Sequence, residues 1–131
     1  MILENELVVL MPVYNDWDTL SLLLLRLDQE VKTNNLRARL VLVDDGSTIT
    51  LPEGLVQSPF QSIISIDVVS LRRKLGHQRA IAIGLSYVEA NHPQSLVVVM
   101  DSDGEDDPKD VPRLVREAWP TGRSELFSLP E

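Results

Sequence analysis

Residues 96–107 have the sequence LVVVMDSDGEDD, in which five apolar residues pass directly into an acidic segment. An unbroken run of Val and Leu is typical of a strand that is buried on both faces. Similar apolar runs are Leu7–Val13 and Leu40–Val43, and the less regular segment Ser62–Leu71 is a fourth candidate strand. Each of the three clear runs contains or is followed by turn-forming or acidic residues.

Helical patterns separate these candidate strands. They cover Trp17–Val31, with Asp16 or Asp18 as the N-cap, then Gly76–Ala90 and Val111–Trp119. Alternating strands and helices predict an α/β fold, a Rossmann-like three-layer sandwich with a mainly parallel sheet and right-handed crossovers. Ligands of such folds bind at the carboxyl ends of the strands, so we expect the polar strand ends to form the site.

A chain of 131 residues is expected to form one domain. We place that domain at residues 1–119 and predict that residues 48–61 form a loop, because this segment contains Pro and Gly without clear periodicity. Residues 120–131 show no strand pattern and are predicted to be an irregular tail.

The composition argues against several classes of partner. A net charge of −8 disfavours nucleic acid, which is bound by clustered Lys and Arg. The absence of cysteine removes disulfides and thiolate metal sites. The most apolar stretch, Leu20–Leu27, is too short to span a bilayer, and no signal-peptide pattern is present at the N-terminus. We therefore expect a cytoplasmic protein without a membrane span.

Six carboxylates lie close together in the sequence after the last apolar run. Two carboxylates about 5 Å apart repel by roughly 3 kcal/mol at an effective dielectric of about 20, which makes a divalent cation their natural partner. Oxygen ligands favour Mg²⁺ or Mn²⁺, and Mg²⁺ usually shares its site with substrate phosphates. The alternate members can turn toward one point if the chain stays extended, and Gly104 permits a bend. The six residues are Asp101, Asp103, Glu105, Asp106, Asp107 and Asp110.

A structural interpretation of the same segment stands beside the metal site, since Asp-rich loops also end strands and cap helices. We expect Asp106, Asp107 and Asp110 to face water or to cap the following helix. An isolated Asp-x-Asp is a weak signal, and its weight here comes from polar residues at the other strand ends.

The first two strand ends offer groups that suit a nucleotide. Tyr14, with Asn15 and Asp16 beside it, can pack on a base or ribose, or simply fill a turn. Asp44 and Asp45 can accept hydrogen bonds from ribose hydroxyls or a base N–H, or can form an Asx turn.

The segments Pro-Val-Tyr-Asn at 12–15, Val-Asp-Asp-Gly-Ser at 43–47 and Asp-x-Asp-Gly at 101–104 occur here in order and with suitable separations. In this pattern the chain resembles the family 2 glycosyltransferases of the GT-A fold over residues 6–119, which implies the nucleotide-binding half of that fold. The resemblance implies the following nucleotide-binding and metal-binding residues. The nucleotide-binding set is Pro12, Tyr14, Asn15, Asp16, Asp44, Asp45, Asp101 and Ser102, and the metal ligands are Asp103 and Glu105.

The resemblance also implies an activity, namely inverting, metal-dependent transfer of a sugar from a UDP- or GDP-linked donor with Mn²⁺ or Mg²⁺ as cofactor. Residues 76–78 and 103–108 look closest to the branch that uses polyprenyl phosphate as acceptor at the cytoplasmic face of a membrane, where Gln commonly stands at the position of Glu105. The acceptor half of the family is absent from this chain. We assign no catalytic base and expect it beyond the chain end, so the chain alone need not be active.

Basic and aromatic residues outside these motifs also have predicted roles. His77 is a phosphate contact or a surface residue at a helix start. Residues 72–74 are a basic cluster that touches the diphosphate or lies in a solvated loop. Trp17 and Trp119 are predicted to pack in the core.

Two rival functions remain at this point. A phosphorylated receiver domain also has paired Asp residues after a strand, although its Lys is missing and the Pro-Val-Tyr-Asn segment would be unexplained. An inactive fragment that serves only for binding or assembly is the second rival.

Overall fold

The computed structural model describes residues 6–55, 59–118 and, for the backbone alone, 126–128. It confirms the predicted α/β fold. One five-stranded parallel sheet has the strand order β3-β2-β1-β4-β5. The elements in chain order are β1 (Glu6–Val13), α1 (Trp17–Thr33), β2 (Arg37–Asp44), β3 (Ile63–Ser70), α2 (His77–Asn91), β4 (Leu96–Val99), α3 (Asp110–Ala118) and β5 (Leu126–Ser128).

The predicted strands and helices agree with these bounds to within a few residues, and residues 48–55 and 59–61 form the expected loop. The predicted absence of a strand in the tail is wrong. Leu126–Ser128 forms a short strand that pairs with β4 through Val97–Val99. Backbone hydrogen bonding along an edge needs no periodic apolar pattern, which explains why so short a strand left no signal. Trp119 lies outside the described residues.

The central strand β1 connects the two layers of the core. Its odd-numbered residues Leu7, Val9 and Met11 belong to a buried cluster with α1 and α3. Its even-numbered residues Val8 and Leu10 belong to a second cluster with α2. Since successive side chains of a strand point to opposite faces, helices cover both faces of β1, and the predicted three-layer arrangement is observed.

Helix α2 packs very closely on the sheet at Gly84. A Cβ atom at this position would overlap the Leu10 side chain and would lie 2.8 Å from Val43 Cγ2. The glycine is therefore required by close helix–sheet approach, because its own backbone has ordinary helical geometry. This contact holds the middle of α2 directly against β1 and β2.

Parallel pairing places the carboxyl ends of β1, β2 and β4 at the same edge of the sheet. The residues that follow these strands are therefore neighbours in space although they are far apart in sequence. None of the helices within the described ranges combines the length and the apolar character that a bilayer crossing needs.

Candidate functional site

A cavity of about 230 Å³ opens at the carboxyl edge of the sheet. It is bounded by the ends of β1, β2 and β4 and by the loop that precedes α2, and it contains both acidic and basic side chains. Its lining residues are Pro12, Val13, Tyr14, Asp16, Asp45, Lys74, His77, Asp101, Ser102 and Asp103. The structure thus brings together most of the residues that the sequence singled out, and it leaves Asn15, Asp44 and Glu105 outside this lining.

Asn15 serves the architecture of the site. Its backbone has a φ of 62°, a left-handed conformation that Asn tolerates better than most residues. Its side-chain oxygen accepts N–H bonds from Thr48 and Ile49, each at 2.9 Å, and its amide donates to Thr48 Oγ1 at 3.0 Å. Asn15 therefore joins the loop after β1 to the loop after β2.

Asp44 and Asp45 have different surroundings, although the sequence did not distinguish them. Asp44 Oδ1 accepts the N–H of Ser47, three residues along the chain, at 3.0 Å, so its side chain stabilises the turn after β2. Asp45 is only 3% exposed and faces the cavity. Its two carboxylate oxygens accept N–H bonds from Leu75 at 2.7 Å and from Gly76 at 3.1 Å.

The loop that precedes α2 is thus held against the end of β2 by Asp45. A second close contact lies beside it, because a Cβ on Gly46 would overlap the backbone of Arg73 and Lys74. Gly46 also has a φ of 71°, so both conformation and space require glycine here. The position of Lys74 is therefore set by backbone contacts to β2.

The acidic loop after β4 folds back on itself. The buried carboxylate of Asp106 accepts the N–H of Asp101 at 2.8 Å, and Asp103 Oδ1 accepts the N–H of Glu105 at 3.0 Å. Gly104 provides the bend with a φ of 87°. The expectation that Asp106 faces water or caps the following helix is wrong, since it is 6% exposed and its carboxylate satisfies a backbone donor of this turn.

The outer residues of this acidic segment behave as expected. Asp107 is exposed and accepts hydrogen bonds from the N–H of Lys109 at 3.0 Å and from Arg26 at 3.2 Å. Asp110 is the first residue of α3, and its carboxylate lies 3.5 Å from Arg113.

Asp16 occupies the N-cap position of α1 without a side-chain capping bond, and its carboxylate lines the cavity.

The carboxylates do not form a ready-made cage for a metal ion. No group of three His, Asp or Glu side chains in the described part of the chain is arranged so that it could hold one cation. Asp101 and Asp103 both line the cavity, whereas Glu105 does not. Two carboxylates are enough for Mg²⁺ or a similar ion when substrate phosphates and water complete its coordination. The donor set therefore fits a cation that is shared with a phosphorylated ligand.

Two basic side chains face these carboxylates. Lys74 Nζ lies 3.9 Å from the centre of the Tyr14 ring, which is the geometry of a cation–π contact. His77, the first residue of α2, has its Nε2 at 3.3 Å from Asp101 Oδ1. The sequence left both residues undecided, and the signal that identifies them is their place between β3 and α2 at the carboxyl edge. Lys74 covers one face of the Tyr14 ring, so base stacking on that face is closed.

A separate polar contact lies between β3 and α2. Tyr87 donates its hydroxyl proton to Asp67 Oδ2 at 2.8 Å. This hydrogen bond, together with burial and the negative charge of Asp67, raises the pKa of Tyr87 above its ordinary value of 10.0. His92 Nε2 lies 3.8 Å from the same carboxylate oxygen. None of these residues lines the cavity.

Comparison with known proteins places this geometry in context. A family model described as "Glycosyl transferase family 2" matches residues 8–122. An undecaprenyl-phosphate 4-deoxy-4-formamido-L-arabinose transferase of Photorhabdus laumondii is 34% identical over 114 residues, which cover 87% of this chain and 34% of the relative. The enzyme of the same name from Klebsiella pneumoniae strain 342 is 33% identical over 114 residues, with the same coverage of both chains.

A third relative of that name, from Edwardsiella ictaluri, is 34% identical over 110 residues, covering 84% of this chain and 33% of its own. The chain therefore spans about a third of the length of the curated relatives that it matches.

Proposed function

The chain belongs to glycosyl transferase family 2, and on this basis we propose that it binds a UDP- or GDP-linked sugar for transfer to an acceptor. The observation that carries the proposal is the meeting of Asp101 and Asp103 with Lys74 and His77 in one cavity at the carboxyl edge of a parallel sheet. Open α/β sheets bind their ligands at this edge. The receiver-domain rival lacks support, because the family match covers residues 8–122.

The charges of the cavity favour a diphosphate accompanied by a cation. The lining contains the carboxylates of Asp16, Asp45, Asp101 and Asp103, which by themselves would repel a phosphorylated ligand. A divalent ion held by Asp103 would supply positive charge that offsets this repulsion. We therefore propose Mn²⁺ or Mg²⁺ as cofactor, with Asp103 as the ligand that lines the cavity.

Glu105 has a weaker structural case as a metal ligand. Its side chain is exposed and lies outside the cavity lining, although its backbone N–H is fixed by Asp103 Oδ1. Binding through Glu105 requires the side chain to turn toward the cavity when the cation arrives. We retain it as a second ligand under that condition.

The size of the cavity indicates which part of the donor it holds. Pockets that enclose a whole small ligand usually measure about 300–1,000 Å³, and the cavity of about 230 Å³ is smaller. The diphosphate and the groups next to it fit this volume, so the rest of the donor extends beyond it. Pro12, Tyr14 and Ser102 form the apolar and hydroxyl-bearing part of the wall.

The chemistry proposed for this site concerns the leaving group. Breakage of the bond between sugar and diphosphate places negative charge on the leaving phosphate, and a bound cation supplies electrostatic stabilisation of that charge. Asp103 would hold the cation, and Lys74 lines the same cavity. Inversion at the sugar requires a general base from the acceptor side, and we assign that role to no residue of this chain.

The acceptor is proposed from the relatives. The relatives are named as undecaprenyl-phosphate sugar transferases. On that basis we propose a polyprenyl phosphate as the acceptor for this protein. Such an acceptor is embedded in a membrane, so transfer would take place at a membrane surface, on its cytoplasmic side.

Calorimetric titration of UDP and GDP, each with and without Mn²⁺, tests donor binding. We expect at least one of the two nucleotides to bind more tightly with Mn²⁺. Asp103→Asn should reduce that gain in affinity by at least about tenfold, since loss of even an outer-shell partner of a bound metal typically lowers metal affinity or activity roughly 10- to 100-fold. Asp107→Asn is the matched control, because Asp107 is in the same loop and is exposed like Asp103, but lies outside the cavity.

The absence of any Mn²⁺-enhanced binding would contradict the proposal, as would equal losses in the two variants.

Incubation with UDP- and GDP-sugars, Mn²⁺ and a polyprenyl phosphate then separates an active enzyme from a module that only binds. Formation of sugar-linked lipid identifies the former.

A further inference from the structure

We propose that Lys74 is the residue by which this site distinguishes a nucleoside diphosphate from a nucleoside monophosphate. The inference rests on the proposed donor binding and adds a specificity-determining residue to it. Lys74 lines the same cavity as Asp101 and Asp103, the two carboxylates that the loop after β4 contributes to the lining. Among the described residues of that lining, Lys74 is the one that carries an ammonium or guanidinium group, and His77 is charged only when protonated.

The backbone of Lys74 is held in place before any ligand arrives. Asp45 accepts the N–H groups of Leu75 and Gly76, and Gly46 packs directly against the backbone of residues 73 and 74. A long lysine side chain normally loses considerable rotamer freedom when it binds a ligand. Because the loop is already fixed, part of the ordering needed for phosphate binding is completed in the free protein.

The side chain of Lys74 is also directed. The ring of Tyr14 lies 3.9 Å from Nζ and supports the ammonium group on its face. An ammonium above a ring retains open directions for hydrogen bonds, because the ring occupies only one side of it. Tyr14 therefore acts as a platform that keeps the charge of Lys74 over the cavity.

The neighbouring basic residues do not share this arrangement. Arg72, Arg73 and Lys74 are all exposed members of the same loop and carry the same charge, but Arg72 and Arg73 lie outside the cavity lining. Simple attraction of an anion by the basic cluster would involve residues 72–74 about equally. A role for Lys74 alone requires the specific placement described above, which makes Arg73 a matched control.

The charge pattern suggests what Lys74 would contact. Asp45 is satisfied by backbone donors, and among the described residues the Lys74 ammonium contacts the Tyr14 ring and makes no ion pair with a carboxylate. A terminal phosphate supplies an anionic partner for this ammonium. A diphosphate can offer one phosphate group to the cation and another to the ammonium, whereas a monophosphate has to share the oxygens of a single group between them.

The test compares the Kd values of UDP with UMP and of GDP with GMP, all with Mn²⁺, in the wild-type chain, Lys74→Met and Arg73→Met. We expect Lys74→Met to weaken diphosphate binding by about 10- to 100-fold, the range for loss of a hydrogen bond to a charged group. Monophosphate binding should weaken by less than about threefold, so the preference for diphosphate falls. Arg73→Met should change neither Kd by more than about twofold.

Chemical rescue supplies a readout on one folded protein. Because the chain contains no cysteine, Lys74→Cys introduces a single thiol that 2-bromoethylamine converts into a lysine analogue. Aminoethylation should restore the diphosphate preference that the unmodified variant lacks. Tyr14→Phe should lose less of that preference than Tyr14→Leu, because only the former keeps an aromatic ring under the ammonium.

The outcomes separate this inference from the proposed function. If no nucleoside diphosphate binds the wild-type chain, donor binding itself is wrong. If diphosphate binds but Lys74→Met and Arg73→Met weaken it equally, the effect is one of overall charge and the inference is wrong. Equal weakening of monophosphate and diphosphate, or failure of aminoethylation to restore the preference, would also refute it.

Discussion

Replacing Asp45 by alanine should destabilise the folded chain even when no nucleotide is present. The carboxylate is 3% exposed and accepts the N–H groups of Leu75 at 2.7 Å and Gly76 at 3.1 Å. Alanine leaves both donors without an acceptor, and a buried unsatisfied donor costs about 1–3 kcal/mol. Leu75 and Gly76 are half-buried, so water satisfies part of this loss. We expect the free energy of unfolding to fall by about 2–4 kcal/mol.

Urea unfolding followed by circular dichroism measures this loss. Asp44→Ala is the matched control, because Asp44 accepts one N–H, from Ser47, in a turn that is more open to solvent. Its loss should be about 1 kcal/mol or less. If the Asp45 side chain served only to contact a nucleotide, its removal would lower nucleotide affinity and leave the free energy of unfolding unchanged. A loss below about 0.5 kcal/mol for Asp45→Ala, or equal losses for both variants, would therefore refute a structural role for Asp45.

Two further predictions concern helix α2. Gly84→Ala should lower the free energy of unfolding by about 1–2 kcal/mol, because overlap with Leu10 outweighs the gain of about 1 kcal/mol in helix propensity. Ser86→Ala is the control, since it changes an exposed position of the same helix, and it should not destabilise the chain. The raised pKa of Tyr87 means that its contribution to stability is complete below pH 10 and is lost as the pH rises through the folded-state pKa. Tyr87→Phe should therefore reduce stability by about 1 kcal/mol at neutral pH and should show a smaller decrease above pH 10 than the wild type, as measured by urea unfolding at several pH values.

The parts of the fold that the sequence predicts well are those in which composition alone determines burial. The Val- and Leu-rich runs at 7–13 and 96–100 have no polar residue that could face water, so a central position in a parallel sheet follows. The order of strands and helices then places the strand ends at one edge. For this reason the sequence locates the cavity correctly without any knowledge of its shape.

The sequence could not determine how individual acidic residues are used. Asp44 and Asp45 are adjacent and chemically identical, and only the approach of the loop before α2 makes Asp45 the buried one. Asp106 was expected to face water or to cap the following helix, yet the turn at Gly104 brings it under the N–H of Asp101. Such assignments depend on tertiary contacts between segments that the local sequence does not specify.

These contacts also change the argument for a metal ion. The sequence suggests a dense group of mutually repelling carboxylates, but Asp45 and Asp106 are each stabilised by backbone N–H groups. The repulsion that a cation would relieve is therefore concentrated at Asp16, Asp101 and Asp103, and His77 Nε2 lies 3.3 Å from Asp101. On this basis the free protein should have little affinity for Mn²⁺ alone. The need for the ion arises when a diphosphate enters a cavity with acidic walls, so metal and nucleotide should bind with positive coupling in which each raises the affinity of the other by the same factor.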